Sequence, residues 1–392
     1  MIDLAAVRAD TPGCERVAHL NNAGSSLPTA AVRDATIDYL RAEAVVGGYE
    51  LAAREAEAID RYRPALAELL GASADEIAFA VSDTAAFSQA FWGMWLSGVV
   101  APGSRVLVDR GSYISHQFAF LQAQRHGGLT IDVVPADPTG ALDVGALASM
   151  LDERVSLVAL THVGTHRGLV NPVEEAGAVL AGHPAVFLLD ACQSVGQLRV
   201  DVEAIGCDVL TGTGRKFLRA PRGSGVLWVR RDLAERIDPP GVDGPGTAWV
   251  APGEYRLGAG ARRFEAYEAS FAVKVGLGVA VDYVLRLGID AVAARVATLG
   301  ESLRTQLGGI DGVHVLDGGH RRSGIVTFAS DRAPAAAVHA ALSAAGVNTS
   351  ISNTSSAQLD AAGRPQEAVR ASVHYYNSES EVGRAVDVVA AM

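Results

Sequence analysis

Two stretches decide the fold: AVFLLDACQSVG (Ala185–Gly196) and DVLTGTGRKF (Asp208–Phe217). The first opens as an unbroken apolar run and ends in Asp190; the second passes from a short apolar run into a Gly/Thr turn that leads to Lys216. A run apolar on both faces is how a strand buried on both sides of a sheet reads. Strands are therefore predicted at Ala185–Asp190 and Asp208–Thr211. Working outward, comparable runs lie at Glu76–Ser82, Arg105–Asp109, Thr130–Pro135, Val155–Val163 and Gly225–Arg230, with helical patterns such as Asp143–Leu151 and Pro172–Ala181 between them. Alternation of this kind predicts an α/β fold with a mostly parallel, seven-stranded sheet covered on both faces. In such sheets ligands bind at the carboxyl ends of the strands, and that is where this sequence puts its polar residues.

A Gly/Pro-rich passage, Asp238–Gly260, interrupts the alternation and reads as a long functional loop or a crossing to the second domain. After a helical stretch, Ser270–Leu287, come a helix (Ala291–Leu307), strands (Val313–Leu316 and Gly324–Ala329), a helix (Pro334–Ala345), a strand (Arg370–Tyr375) and a final helix. This is a smaller α+β unit. The expected division is a large domain over residues 15–285 and a small one over 286–392, joined by residues 1–14.

With 49% hydrophobic and 20% charged residues, the chain has the balance of a folded protein, the reverse of a disordered one. Its 33 basic and 44 acidic residues leave a net charge of −11, which argues against nucleic acid and against anionic membrane surfaces as partners. Three cysteines are too few to staple a secreted fold, and the first residues show no basic start followed by an apolar run, so a cytoplasmic location is expected. Thr84–Ser104 holds 21 residues without a charge, but polar side chains and Ala101-Pro102-Gly103 shorten it. The helix is expected to be about 15 residues, or about 22 Å, short for a bilayer span. It reads as a buried central helix.

Only Lys216 and Lys274 are lysines, so any chemistry needing an amine has two candidates. Lys216 follows a strand and a glycine turn; Lys274 lies inside a helical pattern. Asp190 offers a carboxylate at a buried strand end, and Thr84 offers a hydroxyl where a helix begins, a natural phosphate site. Each has an ordinary reading as loop lysine, cap or N-cap. Together they are what pyridoxal phosphate requires: a Schiff-base lysine, an acid for the pyridinium nitrogen and donors for the phosphate.

The pair LLDACQSVG and DVLTGTGRKF resembles the class V aminotransferase and cysteine desulfurase group of fold type I pyridoxal phosphate enzymes, and the likeness extends from HLNNAGSSLP (His19–Pro28) to VRASVHYYNSESEV (Val369–Val382). The resemblance implies that Lys216 carries the cofactor, Asp190 pairs with its ring nitrogen and Gln193 meets its phenolate oxygen. It implies phosphate contacts from Thr84, the Asp83 backbone and Thr213, and a ring stacked on the cofactor from Tyr113, with His116 as runner-up. Arg370 falls where the substrate carboxylate is held, helped by backbone in Asn22–Ala23–Gly24. A homodimer is implied too, with Asp238–Gly260 and Trp249 reaching the neighbour.

Three positions depart from the group's pattern: Arg215 stands for histidine, Thr165 for asparagine near the cofactor oxygen, and Tyr267-Glu268 for a threonine that reaches the partner's phosphate. Desulfurases carry a mobile cysteine before the carboxylate-binding arginine, yet Thr349–Ala368 contains none. GGYE (Gly47–Glu50) and RASVHYYN bring the chain nearest the branch that contains the C–S lyase of ergothioneine biosynthesis. The expected reaction is β-elimination from a cysteine S-conjugate; transamination, decarboxylating oxidative deamination and a non-catalytic binding role are the alternatives. His162 and His166 are spaced as metal ligands but lack a further ligand cluster, so no metal is expected. Cys192 and Cys207 read as small core residues.

Overall fold

The computed structural model describes residues 2–356, 358–361 and 363–392. Its centre is a seven-stranded sheet of β1 (Ile77–Ala80), β2 (Arg105–Val108), β3 (Thr130–Val133), β4 (Val155–Thr161), β5 (Val186–Asp190), β6 (Val209–Thr213) and β7 (Gly225–Val229). The spatial order is β1-β7-β6-β5-β4-β2-β3. Only β7 runs against its neighbours, so the other six strands end on one edge. All seven expected strands are present, most of them trimmed by a residue or two at the ends.

Away from the edge strand β3, which is partly exposed, side chains alternate between two buried faces of the sheet. Phe187 and Leu189 of β5 join one core with Val158, Leu160 and Leu210, beneath helix α3 (Phe271–Leu287). Val186 and Leu188 join another core with Leu157, Ala159 and the aromatic rings Phe87, Phe91 and Phe120. Those rings belong to α1 (Asp83–Leu96) and α2 (Ile114–Gly127). The period-two rule then sends Asp190 to the α1/α2 side, with Val186 and Leu188. Helix α1 has 14 residues, and among the described residues no helix is long and apolar enough to cross a membrane.

The passage Asp238–Gly260 contains a hairpin of β8 (Thr247–Ala251) and β9 (Glu254–Leu257). After α3 the chain turns at Gly288, whose φ of +80° suits a residue without a side chain, into α4 (Ile289–Gly308). A second, antiparallel sheet follows: β10 (Val313–Val315), β11 (Ile325–Ser330), β12 (Ser350–Asn353) and β13 (Glu367–Ser372), in the order β10-β11-β13-β12. Helices α4, α5 (Ala335–Ala344) and α6 (Glu379–Ala390) contribute Leu299, Leu303, Val338, Leu342 and Val382 to its core. Ala18 and Leu20 pack there as well, and Ala18–His19 pairs in parallel with Val347–Asn348. The N-terminal segment is thereby tied to the C-terminal unit.

Candidate active site

The common strand edge gathers the polar residues around one cavity of about 190 Å³, whose lining includes Asp83, Thr84, Tyr113, Thr165, Asp190 and Lys216. Thr213, Arg215, Cys192 and, at the mouth, Arg222 complete the wall. Lys216 is 7% exposed, so its amine is withdrawn from bulk water while its tip faces this space.

Close packing fixes the lysine turn. Gly196 closes the DACQSVG turn at φ +92°, and a Cβ there would meet the Phe217 carbonyl group at 2.5 Å. No other residue allows the two decisive stretches to approach so closely. On the far side of Lys216, Arg219 takes a left-handed φ of +62°. Its buried guanidinium donates to the Leu27 carbonyl, the Tyr375 hydroxyl and the Thr11 hydroxyl, each at 2.7 Å, which holds that strained backbone in place.

Asp190 accepts from the Cys192 N–H at 2.9 Å, so its carboxylate has a set direction. Burial, then the charge of Asp83, pushes its pKa up to about 6, while His116 and Lys216 pull the other way. Next to it, Gln193 is 1% exposed and donates to the Ala23 carbonyl at 3.2 Å and the Thr165 hydroxyl at 3.3 Å. Its Oε1 is buried without a partner, as is Oδ1 of Asp83. Buried polar atoms left over beside a cavity mark a place where a polar ligand completes the pairing.

The opposite end suits an anion. Ser82 caps α1 by accepting from the Ala85 N–H at 3.1 Å. Asp83 and Thr84 fall in the first turn, where a helix supplies no partner of its own for backbone N–H groups. The Thr84 hydroxyl meets that of Ser115 at 3.2 Å, and the Thr213 hydroxyl donates to the Ser224 carbonyl at 3.3 Å. A lysine, a directed carboxylate and a helix N-terminus thus surround one cavity, and these donors and acceptors fit pyridoxal phosphate.

Tyr113 and His116 separate. Tyr113 is 37% exposed on the cavity wall, its ring centre 6.0 Å from the Lys216 Nζ. His116 is buried behind it, 3.8 Å from the Phe87 ring and nearly parallel to it. Arg370 projects from β13 and donates to the Thr165 carbonyl and the Ser350 hydroxyl, both at 3.1 Å. Burial, reinforced by Arg215 and opposed by Tyr113, lowers its pKa to about 10, so it is a cation at neutral pH with two contacts of its own.

The Asn22–Gly24 turn is held by bonds within the chain. Its three backbone N–H groups bond to the Ser372 carbonyl (3.4 Å), the Ser372 hydroxyl (2.9 Å) and the Asn21 carbonyl (3.0 Å). Its carbonyls accept from side chains of the cavity wall, Ala23 from Gln193 and Gly24 from Arg215. Cys192 departs from expectation: it lines the cavity, its thiol pushed well up by burial and by Asp83, whereas Cys207 is in the core as expected. Arg222 and Ser350 escaped the sequence reading; Arg222 carried one signal, its place in the glycine turn just after Lys216. His162 is fully buried, and His166 bonds Ser352 at 2.7 Å; among the described residues the only three His, Cys, Asp or Glu side chains close enough to share an ion are Asp83, His116 and Asp190.

The sequence profile of the family described as Aminotransferase class-V matches residues 18–384. The chain belongs to that family. It is a pyridoxal phosphate-dependent enzyme with the type I fold. A probable cysteine desulfurase of Methanothermobacter thermautotrophicus is 28% identical, with 98% of each chain aligned. The apo cysteine desulfurase of Thermococcus onnurineus superposes with a TM-score of 0.92 at 24% identity, covering 100% of this chain and 98% of that one. A cystine C–S lyase solved with its product, cysteine persulfide, superposes at 0.86 with 23% identity, covering 97% and 99%. Both structural likenesses concern the fold.

Proposed function

We propose that this class V enzyme is a C–S β-lyase, cleaving a cysteine S-conjugate to a sulfur compound, pyruvate and ammonia. One observation carries the choice over desulfuration: Thr349–Ala368, the segment leading into Arg370, has no cysteine. The chain's three cysteines stand elsewhere, Cys14 half-buried near the N-terminus, Cys192 with a thiol kept neutral and Cys207 in the core. None is a mobile thiolate placed to take a sulfur atom from the substrate.

In this reading Lys216 holds the cofactor covalently, Asp190 faces its ring nitrogen, and Gln193 with Thr165 borders its phenolate side. Tyr113 covers the ring, while Thr84, Thr213 and the first N–H groups of α1 hold the phosphate. Bound pyridoxal phosphate supplies an electron sink for the charge left on Cα. Arg370 grips the α-carboxylate through a two-pronged contact. That grip would hold the Cα–H bond towards Lys216, whose amine is the base that removes the proton. The Cβ–S bond then breaks, its electron pair leaves with sulfur, and the three-carbon enamine that departs is hydrolysed to pyruvate and ammonia.

The functional unit in this reading is a homodimer, supported by Trp249, which is 80% exposed on the β8–β9 hairpin. The test of the reaction is to incubate the holoenzyme with cysteine S-conjugates and follow pyruvate, ammonia, alanine and carbon dioxide. Pyruvate equal to the sulfur product, abolished in Arg370→Ala, is expected. Alanine without pyruvate would make it a desulfurase. Carbon dioxide with an aldehyde would make it a decarboxylating deaminase, and a keto acid that retains sulfur would make it an aminotransferase.

A further inference from the structure

Asp83 has a side-chain contact that its backbone role does not use. From the first turn of α1 it reaches inward, and its Oδ2 accepts from Nε2 of His116, on the first turn of α2, at 3.1 Å. The other ring nitrogen, Nδ1, lies 3.9 Å from Oδ2 of Asp190. All three side chains are more than nine-tenths buried, and Phe87 lies flat against the imidazole, fixing a plane in which Nε2 is hydrogen-bonded to Asp83 while Nδ1 stands at charge-pair distance from Asp190, longer than a hydrogen bond.

The donor arithmetic is restrictive. A carboxylate only accepts, so the proton of the shorter contact sits on Nε2. In a neutral ring, Nδ1 would then carry a lone pair 3.9 Å from the Asp190 carboxylate. In the doubly protonated ring it carries an N–H, and the ring a positive charge, between the two carboxylates. Two carboxylates this close, shielded from water, do not both stay ionised unless a cation stands between them. The surroundings favour that cation. Burial opposes it, but Asp83 alongside, with Asp190 and Asp109 beyond, raises the pKa of His116 on balance. Asp83 in turn is held below its usual range by His116 in spite of burial. The other groups facing the trio are Lys216, across the cavity, the Thr211 hydroxyl beside Asp83 and the neutral thiol of Cys192.

The geometry points to a carboxylate–imidazolium–carboxylate triad, Asp83–His116–Asp190, in which His116 is a positioning residue that keeps Asp190 an anion towards the cofactor's ring nitrogen. It rests on the reading above that Asp190 faces that nitrogen. The triad has a directional consequence. Removing His116 takes away the cation between two neighbouring carboxylates, which then compete for a proton, and Asp190 becomes a poorer partner for a protonated ring. Removing Asp83 as well ends the competition and repairs the defect. A role confined to packing predicts the reverse, two lesions that add.

The experiment loads wild type, Asp190→Asn, His116→Gln, Asp83→Asn and the His116→Gln/Asp83→Asn double variant with pyridoxal phosphate labelled with ¹⁵N in the ring. The nitrogen's chemical shift is followed against pH. In His116→Gln the ring should lose its proton about one pH unit or more below wild type, and in the double variant most of that shift should be recovered. A double variant worse than His116→Gln, or an unchanged His116→Gln beside a shifted Asp190→Asn, would overturn the triad. An unchanged Asp190→Asn would overturn the placement of Asp190 itself, and the triad with it. Should His116→Gln fail to fold, imidazole NMR of the wild-type holoenzyme decides: His116 doubly protonated at pH 8 supports the triad, and a neutral ring overturns it.

Discussion

Arg370 of the C-terminal sheet donates to the backbone carbonyl of Thr165, in the turn that follows β4 of the central sheet, across 205 positions of sequence. The guanidinium is therefore tied both to its own sheet, through Ser350, and to a loop of the large domain before any substrate arrives. Arg370→Lys keeps a charge but loses the planar fork. We expect kcat/KM for a cysteine conjugate to fall roughly 10- to 100-fold, the size of one or two charge-assisted hydrogen bonds, with most of the change in KM. A variant with unaltered KM would move the carboxylate site elsewhere, Arg215 being the nearest alternative cation on the cavity wall.

Borohydride reduction of the holoenzyme followed by peptide mapping should label Lys216. Lys274 is also buried, but it sits in a different cluster, with its Nζ 3.9 Å from Glu265 and 5.2 Å from the centre of the Phe79 ring. Lys274→Met should therefore keep the label and the colour of the cofactor. A label on Lys274 would refute the assignment.

How much of this was legible in the sequence follows from which residues carry periodic signals. The strands of the central sheet announced themselves because VFLLD and VSLVALT are buried on both faces. β12, SISN, did not, since a short edge strand of polar residues has no apolar pattern to show. The helices between Ala30 and Leu70 were not read either; their signal is an amphipathic face that gains meaning only against α3. At the site, Lys216, Asp190 and Gln193 stand in two short stretches with fixed spacing, and those stretches meet. The pairing of Asp83 with His116 joins residues 33 positions apart through the packing of two helices, which no spacing rule encodes.

Asp190 makes a pH prediction with a definite sign. Its folded pKa, about 6, lies above the unfolded value of 3.8, so the folded chain binds that proton more tightly. Without cofactor, this group's contribution to stability is fully present below pH 3.8 and is lost as pH rises through 6. Asp190→Asn should therefore be more stable than wild type at pH 7 without cofactor, by up to about 3 kcal/mol, and equal to it near pH 4. With cofactor bound the order should reverse at pH 7, because the amide offers no charge to a protonated ring. Urea midpoints at the two pH values, with and without pyridoxal phosphate, check both halves. A cofactor-free Asp190→Asn less stable at pH 7 would mean that the buried carboxylate is a net support of the fold.

The hairpin of β8 and β9 sets the last expectation. Trp249 and Tyr255 stand directly opposite each other across it, 80% and 58% exposed, and Val250 beside them is 46% exposed. The Trp249 indole N–H is satisfied by the Ala251 carbonyl within the hairpin, so what remains outward is apolar ring surface. An isolated two-stranded ribbon is marginal in water unless such a face is covered, and no element of the chain covers this one among the described residues. A second copy would, and Tyr267 (52% exposed) and Tyr49 (73% exposed) offer further ring surface for it. Sedimentation of the wild-type holoenzyme should give a dimer, and the double variant Trp249→Asp/Tyr255→Asp should give monomers with an intact far-ultraviolet circular dichroism spectrum. If the active site needs its neighbour, activity should fall with the dimer fraction as the variant is diluted. A wild-type monomer of full activity would leave the hairpin needing a different partner.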